Sequence, residues 1–264
     1  MFRGIYSGTS AMLVQEKMLD VVGNNLANVD TSGFRARIAV NKSFPEVLMD
    51  RVERYPEEGI GPKRFNPRGR VPIGTLSLAN VLHETAMRTA PGVMQVTNAP
   101  LDVALQEEGF FVVQDGAGNT FYTRSGHFQK NDQGQLVTHD GMLVQGDGGA
   151  VEIGDAVRYS LNDRGQLLVN GAVAGQLQVV RFPTPTRMRH VGKSLLAETP
   201  DSGAPEEVEQ PKVAVGFLER SNVNVVEEMS RMIEANRAYE VAAKTVTIQD
   251  ELTSRLSSAF GRVS

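Results

Sequence analysis

Cysteine is absent from this 264-residue chain. That excludes disulfides, thiolate zinc sites and thiol nucleophiles, and it fits a protein that crosses between compartments unfolded. Long hydrophobic runs are absent too. The opening residues, Met1-Phe2-Arg3-Gly4-Ile5-Tyr6-Ser7, hold no apolar core, and Gln15-Glu16-Lys17 follow directly on Val14. Neither a Sec-type signal peptide nor a membrane-spanning stretch is expected, so export would need another route. No block of like charge is long enough to form a tail. The net charge of −4 argues against a nucleic-acid partner, which selects basic surface.

Catalytic and metal-binding patterns are missing as well. His83-Glu84 is followed by Thr85-Ala86-Met87-Arg88, so the second histidine of a zincin helix is not there. His127, His139 and His190 share no metal-ligand spacing. Asp132-Gln133-Gly134-Gln135-Leu136 lacks the oxygen ligands of a calcium loop. Gly116-Ala117-Gly118 lacks the third glycine and the following helix of a dinucleotide fingerprint. No nucleophile elbow and no Walker loop occur. The pairs Glu107-Glu108 and Glu227-Glu228 suit a turn and a helix N-terminus. No catalytic, cofactor or metal site and no small-molecule substrate is expected.

What is present is a helical pattern at each end. Ile5, Met12, Leu19, Val22, Leu26 and Val29 fall near one stripe over residues 4–28. Turn-formers at Asp30-Thr31-Ser32-Gly33 should stop that helix. Asn24, Asn25 and Asn28 are poor helix formers close to its end. They are open to two readings, a frayed terminus or side chains bonding nearby backbone. The second helix should run over 224–260, with Asn224 as N-cap and Glu227 three positions on. Val225, Met229, Met232, Asn236, Tyr239, Ala243 and Val246 alternate at three- and four-residue steps. Ile248, Leu252, Leu256 and Ala259 continue beyond them. About 37 residues make some 55 Å of helix, a length that suits pairing with another helix. Asn236 is open to two readings, a register-fixing residue on that seam or a side chain facing solvent.

The middle reads as strands. Phe110–Val113 and Thr120–Thr123 flank Asp115-Gly116-Ala117-Gly118-Asn119 as a hairpin. Asn131-Asp132-Gln133-Gly134-Gln135-Leu136 is echoed by Asn162-Asp163-Arg164-Gly165-Gln166-Leu167, turn chemistry followed by a strand. Residues 198–212 should be a mobile acidic loop before a last strand, Val213 to Leu218. From Arg51 to Gly74 proline and glycine are dense, with Lys63, Arg64, Arg68 and Arg70 locally basic, so 35–95 reads as an irregular connector. The expected class is α+β, mainly β. A sandwich- or barrel-like β domain at 96–221 is bracketed by terminal helices (1–34 with 222–264) that pair as a coiled coil.

Several motifs then converge. Asn24-Asn25-Leu26-Ala27-Asn28-Val29-Asp30-Thr31-Ser32-Gly33-Phe34 resembles the N-terminal signature of bacterial flagellar rod and hook proteins. Thr85 to Met94, Asn98 to Leu105 and Gly109-Phe110-Phe111 resemble the entry to that family's β domain. Tyr122 to Phe128 and Gly134 to Thr138 are similar to its first hairpins. Ser221-Asn222-Val223, Glu228-Met229, Met232-Ile233 and Arg237-Ala238-Tyr239-Glu240 resemble its C-terminal helix. The matches keep the family's order over nearly the whole chain, residues 40–80 apart. Gly23 and Arg35 depart from it, where the family often has alanine and lysine.

The resemblance implies a structural axial subunit of the flagellar basal-body rod. Its terminal helices would line an inner tube, assemble helically and transmit torque from motor to hook. Its partners would be copies of itself, other rod and hook axial proteins, and the flagellar export apparatus. The assembly residues carried over are Asn24, Asn25, Leu26, Asn28, Gly33, Phe34, Ser221, Asn222, Val223, Met229, Met232, Ile233, Arg237, Tyr239 and Glu240. A short chain favours rod over hook and leans to the proximal rod type. A hook or hook-associated subunit and a secreted β-domain binding module are the alternatives.

Overall fold

The computed structural model describes residues 2–43, 46–52, 70–77, 79–154, 156, 158–192 and 194–260. Two helices, α1 (Phe2–Ala27) and α2 (Val225–Phe260), bracket a series of short strands. Asn224 caps α2 as its residue type requires. Its Oδ1 accepts the N–H groups of Val226 at 3.1 Å and Glu227 at 3.4 Å. Glu227 does not close a reciprocal box. Its carboxylate instead takes Arg231, one turn on, at 2.6 Å.

The chain divides into two compact units. The first comprises Met1–Asp20, Ala39–Glu84 and Met232–Ser264. Here α1 and α2 run antiparallel, for Gly4 faces Gln249 and Gly8 faces Val246 and the Ala242 carbonyl. Both glycines set the approach of the helices. A Cβ on Gly8 would sit 2.7 Å from a Val246 methyl. Met232, Ala235, Tyr239, Ala242, Val246, Gln249 and Thr253 of α2 are less exposed than most of the helix in this unit and form a heptad seam, with Ala243, expected there, also half-buried.

Met232, Tyr239 and Val246 lie on that seam as expected. Asn236 does not, and it faces solvent, so it fixes no register inside the chain. The alternate positions of the seam go to the buried Ala235 and Ala242.

Where an irregular connector was expected, strands form at Arg37–Ser43, Glu46–Val52, Arg70–Ser77, Asn80–Met87 and Met94–Val96. The second and third of these pair antiparallel from Glu46↔Ser77 to Val52↔Arg70, with a bulge after Met49. Pro72 lies at that irregularity, where a missing N–H costs the ladder least. The first and fourth pair as well. The densest proline and glycine signals, with Lys63, Arg64 and Arg68, lie outside the described residues.

The second unit, Val21–Ile38 with Thr85–Arg231, holds the β-rich part. Its main sheet runs in the order 189–190, 195–197, 120–123, 110–114, 143–146, 136–138, 128–130. Phe110 to Val113 is a central strand buried on both faces. Phe111 and Val113 enter one core with Leu136, Val144, Leu167 and Leu177, while Phe110 and Val112 enter another with Tyr122, Phe182 and Leu196.

The echoed turns form as read. Asn131 Oδ1 accepts the N–H groups of Gln133 and Gln135, and Asn162 Oδ1 those of Arg164 and Gln166. Gly134 and Gly165 supply the positive φ, 76° and 71°. The acidic loop includes a two-residue strand, Glu206–Glu207, paired with Val179–Arg181. The expected last strand is two: Val213–Val215 pairs with Val103–Leu105 and Phe217–Glu219 with Met94–Val96, redirected at Gly216.

Candidate functional site

The resemblance residues separate into three groups. The first group lies within the second unit and is used by the fold. Asn25 is 1% exposed. Its Nδ2 donates to the Arg37 carbonyl at 2.9 Å and to Glu228 Oε2 at 3.3 Å, and its Oδ1 accepts the Arg37 N–H at 2.8 Å. Asn28 donates to the Asn24 carbonyl at 2.8 Å and accepts from the Thr31 hydroxyl at 3.3 Å. These two side chains bond nearby backbone rather than marking a frayed end. Asn24 is half-buried, and its Oδ1 is buried without a partner.

Asn222 performs the same service from the other end of the chain. It accepts the Ala36 N–H at 2.7 Å and donates to the carbonyls of Arg88 at 3.0 Å and Ala90 at 2.7 Å. Ser221 is buried, its hydroxyl accepting the Val223 N–H. Gly33 turns at φ +68°, and Phe34 is buried. Leu26 and Val223 are half-buried.

The second group, Met232 and Tyr239, lies on the helix seam of the first unit. Met229, Ile233, Arg237 and Glu240 form the third group, facing solvent from α2. In the first unit the outward face of α2 continues through Val241, Ile248 and Leu252, all about half or more exposed, to Leu256. The same unit carries a groove of about 690 Å³. Tyr6, Leu13 and Lys17 of α1 line one wall and Val81 and Leu82 of strand Asn80–Met87 the other. Ser10, in that wall, exchanges hydrogen bonds with the backbone of Asn80, its Oγ accepting the N–H at 2.9 Å.

One cluster escaped the sequence reading. Glu219, 2% exposed, takes Arg35 Nη2 on Oε1 at 2.8 Å and Arg124 Nε on Oε2 at 2.6 Å. It also accepts the Gly92 N–H at 2.9 Å. Arg124 donates further to the carbonyls of Gly109 at 2.6 Å and Leu105 at 3.1 Å, and Arg35 to that of Ala90. Burial, opposed by Glu219 and reinforced by Arg124, depresses the Arg35 pKa. A charged residue in a short strand or turn ordinarily faces water, so composition offered no signal for this cluster. Among the described residues no group of metal-ligating side chains forms, and no helix is long and apolar enough to cross a membrane.

His190 is the other buried titratable group. Both ring nitrogens are buried without partners, and its ring centre lies 6.1 Å from that of Phe34. Burial, then the Arg37 charge, pushes its pKa from 6.5 down to about 4. A histidine held neutral in the fold binds a proton more readily when unfolded. Its contribution to stability is therefore full above pH 6.5 and is lost as pH falls toward about 4. The expected loss is about 2 kcal/mol, allowing for the partly exposed ring. Urea unfolding at pH 7 and pH 4.5 checks this, since His190→Leu should flatten that part of the profile. An unchanged slope in the variant would remove His190 as its source.

Three family models match the chain. The flagella basal body rod protein model covers residues 5–35, the flagellar hook protein FlgE/F/G D1 domain covers 104–169, and the flagellar basal body rod FlgEFG protein C-terminal model covers 214–259. The flagellar basal-body rod protein FlgG of Caulobacter vibrioides is 31% identical over 268 residues, spanning 97% of this chain and 100% of that protein. FlgG of Bacillus subtilis is 31% identical, spanning 97% and 98%. The flagellar hook-basal body complex protein FlhO of Bacillus subtilis is 26% identical over the full length of both.

Proposed function

Since the chain belongs to the flagellar basal-body rod family, and is a structural subunit of that rod rather than of the hook, we propose that its terminal helices carry the assembly. The outward face of α2 around Ile248 and Leu252 seats in the groove between α1 and strand Asn80–Met87 of a second copy. The observation that carries this reading is the pair of unlike apolar surfaces, ridge and groove, on one unit of one chain. A contact between unlike surfaces does not close on itself, and where the rotation is open it builds a helical filament.

Of the resemblance residues, Ile233, Arg237 and Glu240 extend this contact surface. Asn25, Asn28, Gly33, Phe34 and Asn222 act one step back, by holding the ends of the helices. A filament built this way transmits torque passively, through the stiffness of its contacts, with no catalytic step. The subunit reaches the basal body through the flagellum's own export channel, where a chain without disulfides can pass unfolded. Other rod and hook proteins are its neighbours along the axis.

Ile248→Glu tests the contact. Losing one buried isoleucine costs about 2 kcal/mol, roughly thirtyfold in association at each contact. Purified basal bodies from a strain carrying only the variant should contain little of it, and swarming should fall, while the free monomer melts as the wild type does. Incorporation at the wild-type level would rule the ridge out as an interface.

A further inference from the structure

The Arg35–Glu219–Arg124 cluster has one face that the fold leaves unused. Arg35 and Arg124 both line a cavity of about 180 Å³ in the second unit, and Glu219, which pairs with both, is not among its lining residues. Each guanidinium has five N–H donors. Arg124 commits Nε, one Nη1 and one Nη2 donor within the chain. Arg35 commits one Nη1 and one Nη2 donor. The rest have no partner among the described residues. Two buried positive charges on one buried negative charge leave an excess of one positive, which is costly in a low-dielectric interior.

Much of the remaining wall is apolar, formed by Met87, Phe110, Phe182 and two prolines, with Thr89 and Gln106 beside them. Arg181 stands at the mouth, exposed and in no ion pair among the described residues. Two glutamates are also there. Glu107 is held by Lys212 at 2.8 Å, whereas Glu108 is exposed and acts on Arg35 through its charge.

We propose that this cavity is a binding site for a carboxylate carried on a short aliphatic stem. The planar donor edges of Arg35 and Arg124 suit a carboxylate's two oxygens, and Phe110 and Phe182 suit the stem. A space of about 180 Å³ has room for butyrate or a glutamate side chain. A bare phosphate would leave the apolar wall unmatched. The carboxylate arrives either on a free small acid or on an acidic side chain of a neighbouring protein.

Nuclear magnetic resonance of the arginine Nε–H groups in the full chain tests the site. Butyrate should shift the Arg35 and Arg124 signals saturably, and neutral butyramide should bind at least about tenfold more weakly. Acetyl-Ala-Glu-Ala-amide separates the sources. Tighter binding than butyrate identifies an acidic side chain as the natural occupant, and exclusion of the peptide identifies a free acid. Arg181→Ala should weaken butyrate several-fold and Glu108→Gln should tighten it several-fold, both at exposed positions that leave the fold intact. No saturable shift with butyrate, or equal shifts with butyramide, overturns the proposal. So does an unchanged affinity in both variants.

Discussion

Replacing Glu219 by alanine should lower the free energy of unfolding by about 3–5 kcal/mol, the usual result of removing one partner from a buried ion pair. Two guanidiniums would stay buried with no counter-charge, and the Gly92 N–H would lose its acceptor. Glu219→Gln should fall between alanine and wild type, since it keeps an acceptor but no charge. Arg220→Ala, one position along, is the control. Arg220 pairs with Asp30 at 2.7 Å, but both side chains are half or more exposed. That pair should be worth less than about 1 kcal/mol. Urea titrations followed by circular dichroism compare the three directly. A Glu219→Ala loss no larger than that of Arg220→Ala would mean that water reaches the cluster.

Two glycines ten positions apart should respond in opposite directions to alanine. At Gly33 the backbone lies in the left-handed region, φ +68°, and an added Cβ would fall 2.2 Å from the Ser125 backbone nitrogen. Strain of about 1–2 kcal/mol from the conformation and about 1–3 kcal/mol from overpacking give a loss of several kcal/mol for Gly33→Ala. Because the turn also carries the Gly33 N–H bond to the Glu219 carbonyl at 2.8 Å, the variant should lose part of the ion-pair cluster as well. Gly23 lies within α1, and nothing approaches within 4 Å of where its Cβ would be. Gly23→Ala should therefore stabilise by about 0.5–1 kcal/mol. Thermal melts of the two single variants and of the double variant settle both signs. A neutral Gly33→Ala would show that this turn can rearrange.

Local chemistry was the legible part. Asn224 as a cap and the paired Asn-Asp-x-Gly turns act within four residues, so the residue types alone announce them. Helix existence was legible for the same reason, because periodicity is a property of one segment. The seam was half legible. Met232, Tyr239 and Val246 belong to it, but whether Ala235 or Asn236 is buried was settled only by the packing of the helix. Strands at 37–87 were obscured by proline and glycine, which describe turns well and say little about the edges between them.

By itself the sequence determined the two terminal helices, the turn-punctuated β region between them, the absence of any thiol chemistry and the family resemblance. The tertiary structure decided what the polar residues are for. Asn25, Asn222 and Glu219 look alike in sequence as hydrophilic residues near turns. Folding places them where water is excluded, so each must find its partners among residues far along the chain. Arg35, Arg124 and Glu219 have no periodic relation that a reader of the chain could detect. Their pairing is a long-range electrostatic requirement, set by which groups the strands bury together.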